Sequence, residues 1–242
     1  MLAVLMPVAF FFYYFDPRYF IFVGPAILLA IVAQMWVKGA MAKWSRVPIR
    51  AGLTGRQVAE RVLNLGGVSG VAIQETRGWL SDHYDPRHQA LRLSPQVHNS
   101  TSVAACAVAA HEAGHAIQHA RRYAMLQLRS AYVPAASIGS WLSIPLIFLG
   151  FIFTMPALTT LGVIFFSAVV LFQLITLPVE FDASRRAKKV LAEGGLVADA
   201  EEARGVSAVL TAAAMTYVAA TLQAISTLLY YLYILGFFGR RS

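Results

Sequence analysis

SAYVPAASIGSWLSIPLIFLGFIFTMPALTTLGVIFFSAVVLFQLITLPV, residues 130–179, runs from Arg129 to Glu180 without one charged side chain. A helix rises about 1.5 Å per residue, so crossing a hydrocarbon core of about 30 Å takes about 20 residues. The dense part, 141–179, is too long for one crossing and suits two. Met155-Pro156-Ala157-Leu158-Thr159-Thr160 offers the turn, because proline removes a backbone donor and threonine hydroxyls can satisfy nearby backbone. The expectation is a transmembrane hairpin with arms over 141–155 and 160–177, the first arm drawing on residues before Trp141. A pair of re-entrant or protein-buried helices is the alternative.

The rest of the chain agrees with a lipid environment. Of 242 residues, 58% are hydrophobic and 13% charged, where a soluble domain keeps about 25% charged. A first span is expected at YFIFVGPAILLAIVAQMWV, residues 19–37. The apolar run before it, 1–15, has no basic leader and no small-x-small cleavage site. An uncleaved anchor is therefore expected, with those fifteen residues at the outer interface. The last uncharged run, 205–239, is alanine-rich in its first half and bulkier in its second, which suggests a packing helix followed by one span.

Lys38, Lys43, Arg46 and Arg50 follow the first span, and Arg185, Arg186, Lys188 and Lys189 follow the hairpin. The positive-inside rule puts both groups in the cytoplasm and the N-terminus outside. Arg240 and Arg241 agree only if the last run crosses twice. The net charge of +8 is uneven, with 12 basic and 5 acidic residues over 38–129 but 5 basic and 6 acidic over 180–204. This excess flanks apolar segments, and no aromatic-interleaved basic stripe or nucleic-acid motif accompanies it. Anionic lipid headgroups, not nucleic acid, are the expected partners. Cys106 is the single cysteine, so no intrachain disulfide forms, and a small buried thiol is expected.

Thr54 can cap an amphipathic helix with apolar residues at 58, 59, 62 and 63, stopped by Gly66-Gly67. Residues 71–76 and 90–94 read as strands, with a turn at Asp85-Pro86 between them, and 90–94 would be the edge strand that pairs with an extended peptide. Asn99-Ser100-Thr101-Ser102 then offers helix caps. The expected parse is 1–37, anchor and first span; 38–135, a cytoplasmic α+β part; 136–178, the hairpin; 179–204, a cytoplasmic helix; and 205–242, packing helix and final span. The fold class is mainly α, a multi-pass integral membrane protein.

The chemistry lies in Ala109-Ala110-His111-Glu112-Ala113-Gly114-His115-Ala116-Ile117-Gln118-His119. Residues four apart share a helix face, so His111 and His115 can offer imidazoles to one zinc ion. Glu112 sits where its carboxylate can take a proton from a water polarised by that ion and later return one to a departing amine. Three polar groups in an alanine helix would be costly unless something satisfied them. A catalytic zinc takes three protein ligands. His119 stands about 12 Å along the axis from His111, too far for one ion with bonds of about 2 Å, and suits orienting a ligand or contacting substrate. Glu180, in Leu177-Pro178-Val179-Glu180-Phe181-Asp182-Ala183-Ser184-Arg185-Arg186, is the better third ligand if Pro178 starts a helix. Capping that helix's dipole is its alternative role, one that Asp182 could also fill.

HEAGHAIQHA, GWLSDHYDPRHQALRLSP, LPVEFDASRRA, FDPRYF and AAAMTYVAA together resemble the YugP-type neutral zinc metallopeptidases of bacterial membranes, over nearly the whole chain. The HExxH…Glu plan is more distantly similar to HtpX-type membrane peptidases and thermolysin-like gluzincins. The resemblance implies a zincin-like helix, zinc on His111, His115 and Glu180, and Glu112 as the catalytic glutamate. Gluzincins commonly place a histidine-orienting aspartate four residues after the third ligand; this chain has Ser184 there. Asp182, about 200° round the helix from Glu180, could substitute only if the helix begins irregularly.

His83, Tyr84, His88, Arg185 and Arg186 are candidates to stabilise an oxyanion. The expected function is a zinc-dependent endopeptidase acting on membrane-associated or membrane-proximal proteins from the cytoplasmic face. The competing class is a non-catalytic, metal-stabilised membrane scaffold or chaperone. A transporter would show more polar groups in its spans than Gln34, Gln173 and Gln223. No residue pattern specifies a regulatory partner or an oligomer.

Overall fold

The computed structural model describes residues 16–78 and 81–237. The expectations for residues 1–15 and for Arg240-Arg241 lie outside that range. In chain order the elements are α1 (Pro17–Trp44), α2 (Gly55–Leu65), β1 (Ala72–Glu75), β2 (His83–Asp85), β3 (Ala90–Leu93), α3 (Pro95–His98), α4 (Val103–Ala120), α5 (Ala124–Ile152), α6 (Pro156–Glu193) and α7 (Ala200–Ile234). Four of these, α1, α5, α6 and α7, are long and apolar enough to cross a membrane. The protein is a mainly α, multi-pass membrane protein with a small β-containing part.

The chain divides into two compact units, one through Val32, Leu128–Thr176 and from Tyr217, the other Ala33–Gln127 and Leu177–Thr216. In the first, Val23, Ile147, Val163, Tyr230 and Tyr231 form the packed centre. Glycines let its helix backbones close in: a Cβ on Gly139 would stand 2.5 Å from Phe165 O, and one on Gly162 would stand 2.8 Å from Ile147 N. Small residues at helix contacts are what lipid favours, since burial of apolar side chains gains little there. The large apolar side chains of this unit, Ile21, Leu28, Trp141 and Ile164 among them, point outwards instead.

The second unit is built around α4. Ser102 caps it by accepting from Ala105 N at 3.2 Å, and its alanines are buried against Val58, Val62, Leu91, Leu93, Leu191 and Val209. Each large side chain so buried contributes about 1.5–3 kcal/mol. Helix α2 carries the expected cap, with Thr54 and Gln57 each bonding the other's backbone. The expected strands are present as β1 and β3.

Five expectations need correction. β3 is the centre of a sheet ordered β1-β3-β2, parallel to β1 and antiparallel to β2, so it has no free edge for a substrate. The strand that displaces it to the middle is β2, three polar residues with too little apolar alternation to be noticed. Pro178 does not start a helix; α6 runs through it without interruption to Glu193. A proline inside a helix forfeits one hydrogen bond, a loss that α6 sustains while Val179 and Glu180 beside it are buried in protein. Likewise α5 begins at Ala124 rather than near residue 136, and α7 is one unbroken helix where a packing helix and a separate span were expected. The hairpin turn falls at 153–155 rather than over 155–160, with Pro156 as the first residue of α6.

Candidate metal centre

Because α6 is continuous, Glu180 lies in its interior, far from any helix start, and a dipole-capping role is ruled out. Glu180, Ala183, Ser184, Ala187 and Leu191 make one buried face of α6. At Gly114 of α4 a Cβ would sit 2.7 Å from Ala183 O. That absent side chain lets the two helices approach until Glu180 reaches the histidines.

His111 and His115 stand one turn apart on α4, their rings edge to face with centroids 4.8 Å apart. Glu180 Oε2 lies 3.3 Å from His111 Nε2 and 3.5 Å from His115 Nε2. One ligand atom from each residue falls within 4.8 Å of the others. The ring orientations follow from the remaining bonds. Gln118 Nε2 donates to Val179 O at 2.8 Å and to Asp182 Oδ2 at 2.9 Å. Its Oε1 is therefore the end that accepts from His115 Nδ1–H, at 3.0 Å. Ser184 Oγ is hydrogen-bonded to His111 Nδ1 at 3.1 Å. Both rings thus have Nδ1 engaged on the far side and turn Nε2 towards Glu180. Two imidazole nitrogens and one carboxylate oxygen are the donors a catalytic zinc takes, with a fourth position left for reactants. The residues present fit one such ion.

Burial pulls the pKa of His115 down, but Glu180, Glu112 and Gln118 outweigh it and leave the imidazole above its ordinary value. The same negative surroundings favour a divalent cation. Glu112, adjoining His111 in sequence, is buried.

The other anticipated residues fall in different places. Asp182 is buried and bonded to Gln118, Arg185 and Arg186. It needs no irregular helix start, and it meets a histidine only through Gln118. Arg185 and Arg186, weighed as oxyanion donors, are the partners of Asp182. His119 lies outside the ligand cluster, its Nδ1 2.8 Å from Tyr84 Oη. Burial, then Asp85, pushes the Tyr84 hydroxyl's pKa up. His83 donates to Ser81 O at 2.8 Å, and His88 pairs with Asp85 at 2.7 Å on the exposed side of the loop. Cys106 is buried as expected, which pushes its thiol up to about 12. Sequence reasoning missed Gln118. Its one signal was a polar residue three positions after His115 in a helix rich in alanine.

A histidine pair and a glutamate on packed helices, within a multi-pass protein, define a membrane-embedded zinc peptidase of the HExxH type. The family described as "Putative neutral zinc metallopeptidase" matches residues 19–236, and the chain belongs to it. It is a zinc metalloendopeptidase. It is also similar to "Putative membrane protease YugP" of Bacillus subtilis (strain 168), with 45% identity over 212 residues, 87% of this chain and 93% of the relative. No solved structure matches.

Proposed function

We propose that the centre cleaves peptide bonds in membrane-associated or membrane-proximal polypeptides on the cytoplasmic side, with Glu112 as the proton carrier. The observation that carries this is the convergence of His111 Nε2, His115 Nε2 and Glu180 Oε2 on one point beside Glu112. Zinc bound there supplies a Lewis acid for the scissile carbonyl and the attacking water. Glu112 takes one proton from that water as its oxygen adds to the carbonyl carbon. It then delivers a proton to the amine nitrogen as the C–N bond breaks. Ser184 and Gln118 hold the two imidazoles so that neither turns its Nδ1 inwards. Proteolysis by purified protein in detergent, wild type against Glu112→Gln, tests the assignment, and equal activity in the two would overturn it.

Tyr84 is the proposed oxyanion donor. If His119 Nδ1–H donates to Tyr84 Oη, the phenolic proton is left to meet the developing charge. Among the described residues β2, which carries Tyr84, also keeps one edge unpaired within its sheet, where an extended substrate can add as a strand. Tyr84→Phe is expected to lower kcat about 10²-fold with little change in zinc content. An unchanged kcat would shift the role elsewhere.

The cytoplasmic assignment rests on the basic residues after the first span and the hairpin. Cys106 is buried and leaves a clean background for thiol labelling. Lys189 is exposed, so a Lys189→Cys protein should react with an impermeant maleimide in inverted vesicles and not in intact cells. The opposite pattern would reverse the orientation.

A further inference from the structure

Gln118 is fully buried, and both ends of its amide are committed. Its Oε1 accepts from His115 Nδ1–H, while its Nε2 donates to Val179 O and Asp182 Oδ2. We infer that Gln118 is the positioning residue that sets His115 and Glu180 relative to each other, an inference that rests on the metal centre described above.

The task requires an amide. One end must accept a proton from an imidazole and the other must donate to a carbonyl and a carboxylate, and only Asn and Gln offer both in one planar group. The acceptor end fixes the rotation of the His115 ring and with it the direction of Nε2. The donor end grips Val179 O, on the residue immediately before Glu180. One planar group therefore sets the spacing between the helix that carries two ligands and the backbone that carries the third. Asp182 orients this amide rather than a histidine, and its charge is taken up by Arg185 and Arg186. His115 thus has a neutral acceptor at Nδ1.

The test uses the full chain purified in detergent, with two readouts that need no proteolysis. These are zinc affinity, by competition with a chromophoric chelator, and the absorption bands of the Co²⁺-substituted protein, which report ligand geometry. Gln118→Met is close in size and makes none of the three bonds. It is expected to weaken zinc binding about 10- to 100-fold, in the range of other partners that orient ligands, and to shift the cobalt bands. Gln118→Glu keeps an acceptor for His115 but, as a carboxylate, cannot donate to Val179 O or Asp182. It should bind zinc more tightly than Gln118→Met and more weakly than wild type, and it carries the test alone if Gln118→Met does not fold. Zinc affinity within about twofold of wild type, with unshifted cobalt bands, in either variant would overturn the inference. His111→Ala serves as the control. If it too retains zinc, the metal centre itself is misassigned; if it loses zinc while the Gln118 variants do not, only the role of Gln118 fails.

Discussion

Glu112→Gln protein is expected to bind zinc as wild type does and to lose proteolysis by about 10²- to 10⁴-fold, the usual worth of a positioned general acid–base group. At about 1.4 kcal/mol per factor of ten, that is about 2.8–5.6 kcal/mol of barrier. The separation of the two readouts follows from geometry. The ligand cluster is His111, His115 and Glu180, and Glu112 is not a member. Glutamine has the shape of glutamate and differs in lacking a carboxylate that can take up a proton. Zinc content by atomic absorption and cleavage of an unfolded polypeptide, in protein free of host proteases, check the two halves. Full activity would remove Glu112 from the role of proton carrier.

Glu180→Ala should fail in the other way, losing zinc and activity together. Glu180 Oε2 stands between the two Nε2 atoms and is the single oxygen of the donor set. Its removal leaves two imidazoles, too few for the three protein ligands of a catalytic zinc. Zinc should loosen by more than about 100-fold, beyond the range expected for residues that only orient ligands. The pair of variants is diagnostic: metal retained with chemistry lost in one, both lost in the other. Unchanged zinc stoichiometry in Glu180→Ala would remove it from the ligand set.

Much of this protein could be read locally. The hairpin follows from one run of uncharged residues, the zinc helix from a four-residue spacing, and Ser102 and Thr54 from ordinary capping chemistry. Where local rules failed, a distant partner had overruled them. Pro178 signals a helix start in water, yet α6 carries on through it and thereby places Glu180 and Ser184 on one face. The segment 90–94 has the pattern of a strand, but only its pairing with both β1 and β2 shows that it is the middle one. Ser184, noticed as a departure from the expected aspartate, bonds His111 from 73 positions away.

The spacing of His111, Glu112 and His115 and the exclusion of His119 from their ion could be read from the amino-acid sequence alone, because both depend on distances within one helix. How His115 is oriented, which charges hold Asp182 and which strand keeps an open edge were decided by the tertiary structure. Gln118 shows why: its partners Val179 and Asp182 lie 61 and 64 residues further along the chain, so nothing near it in sequence could reveal what its amide would meet once α4 and α6 had packed.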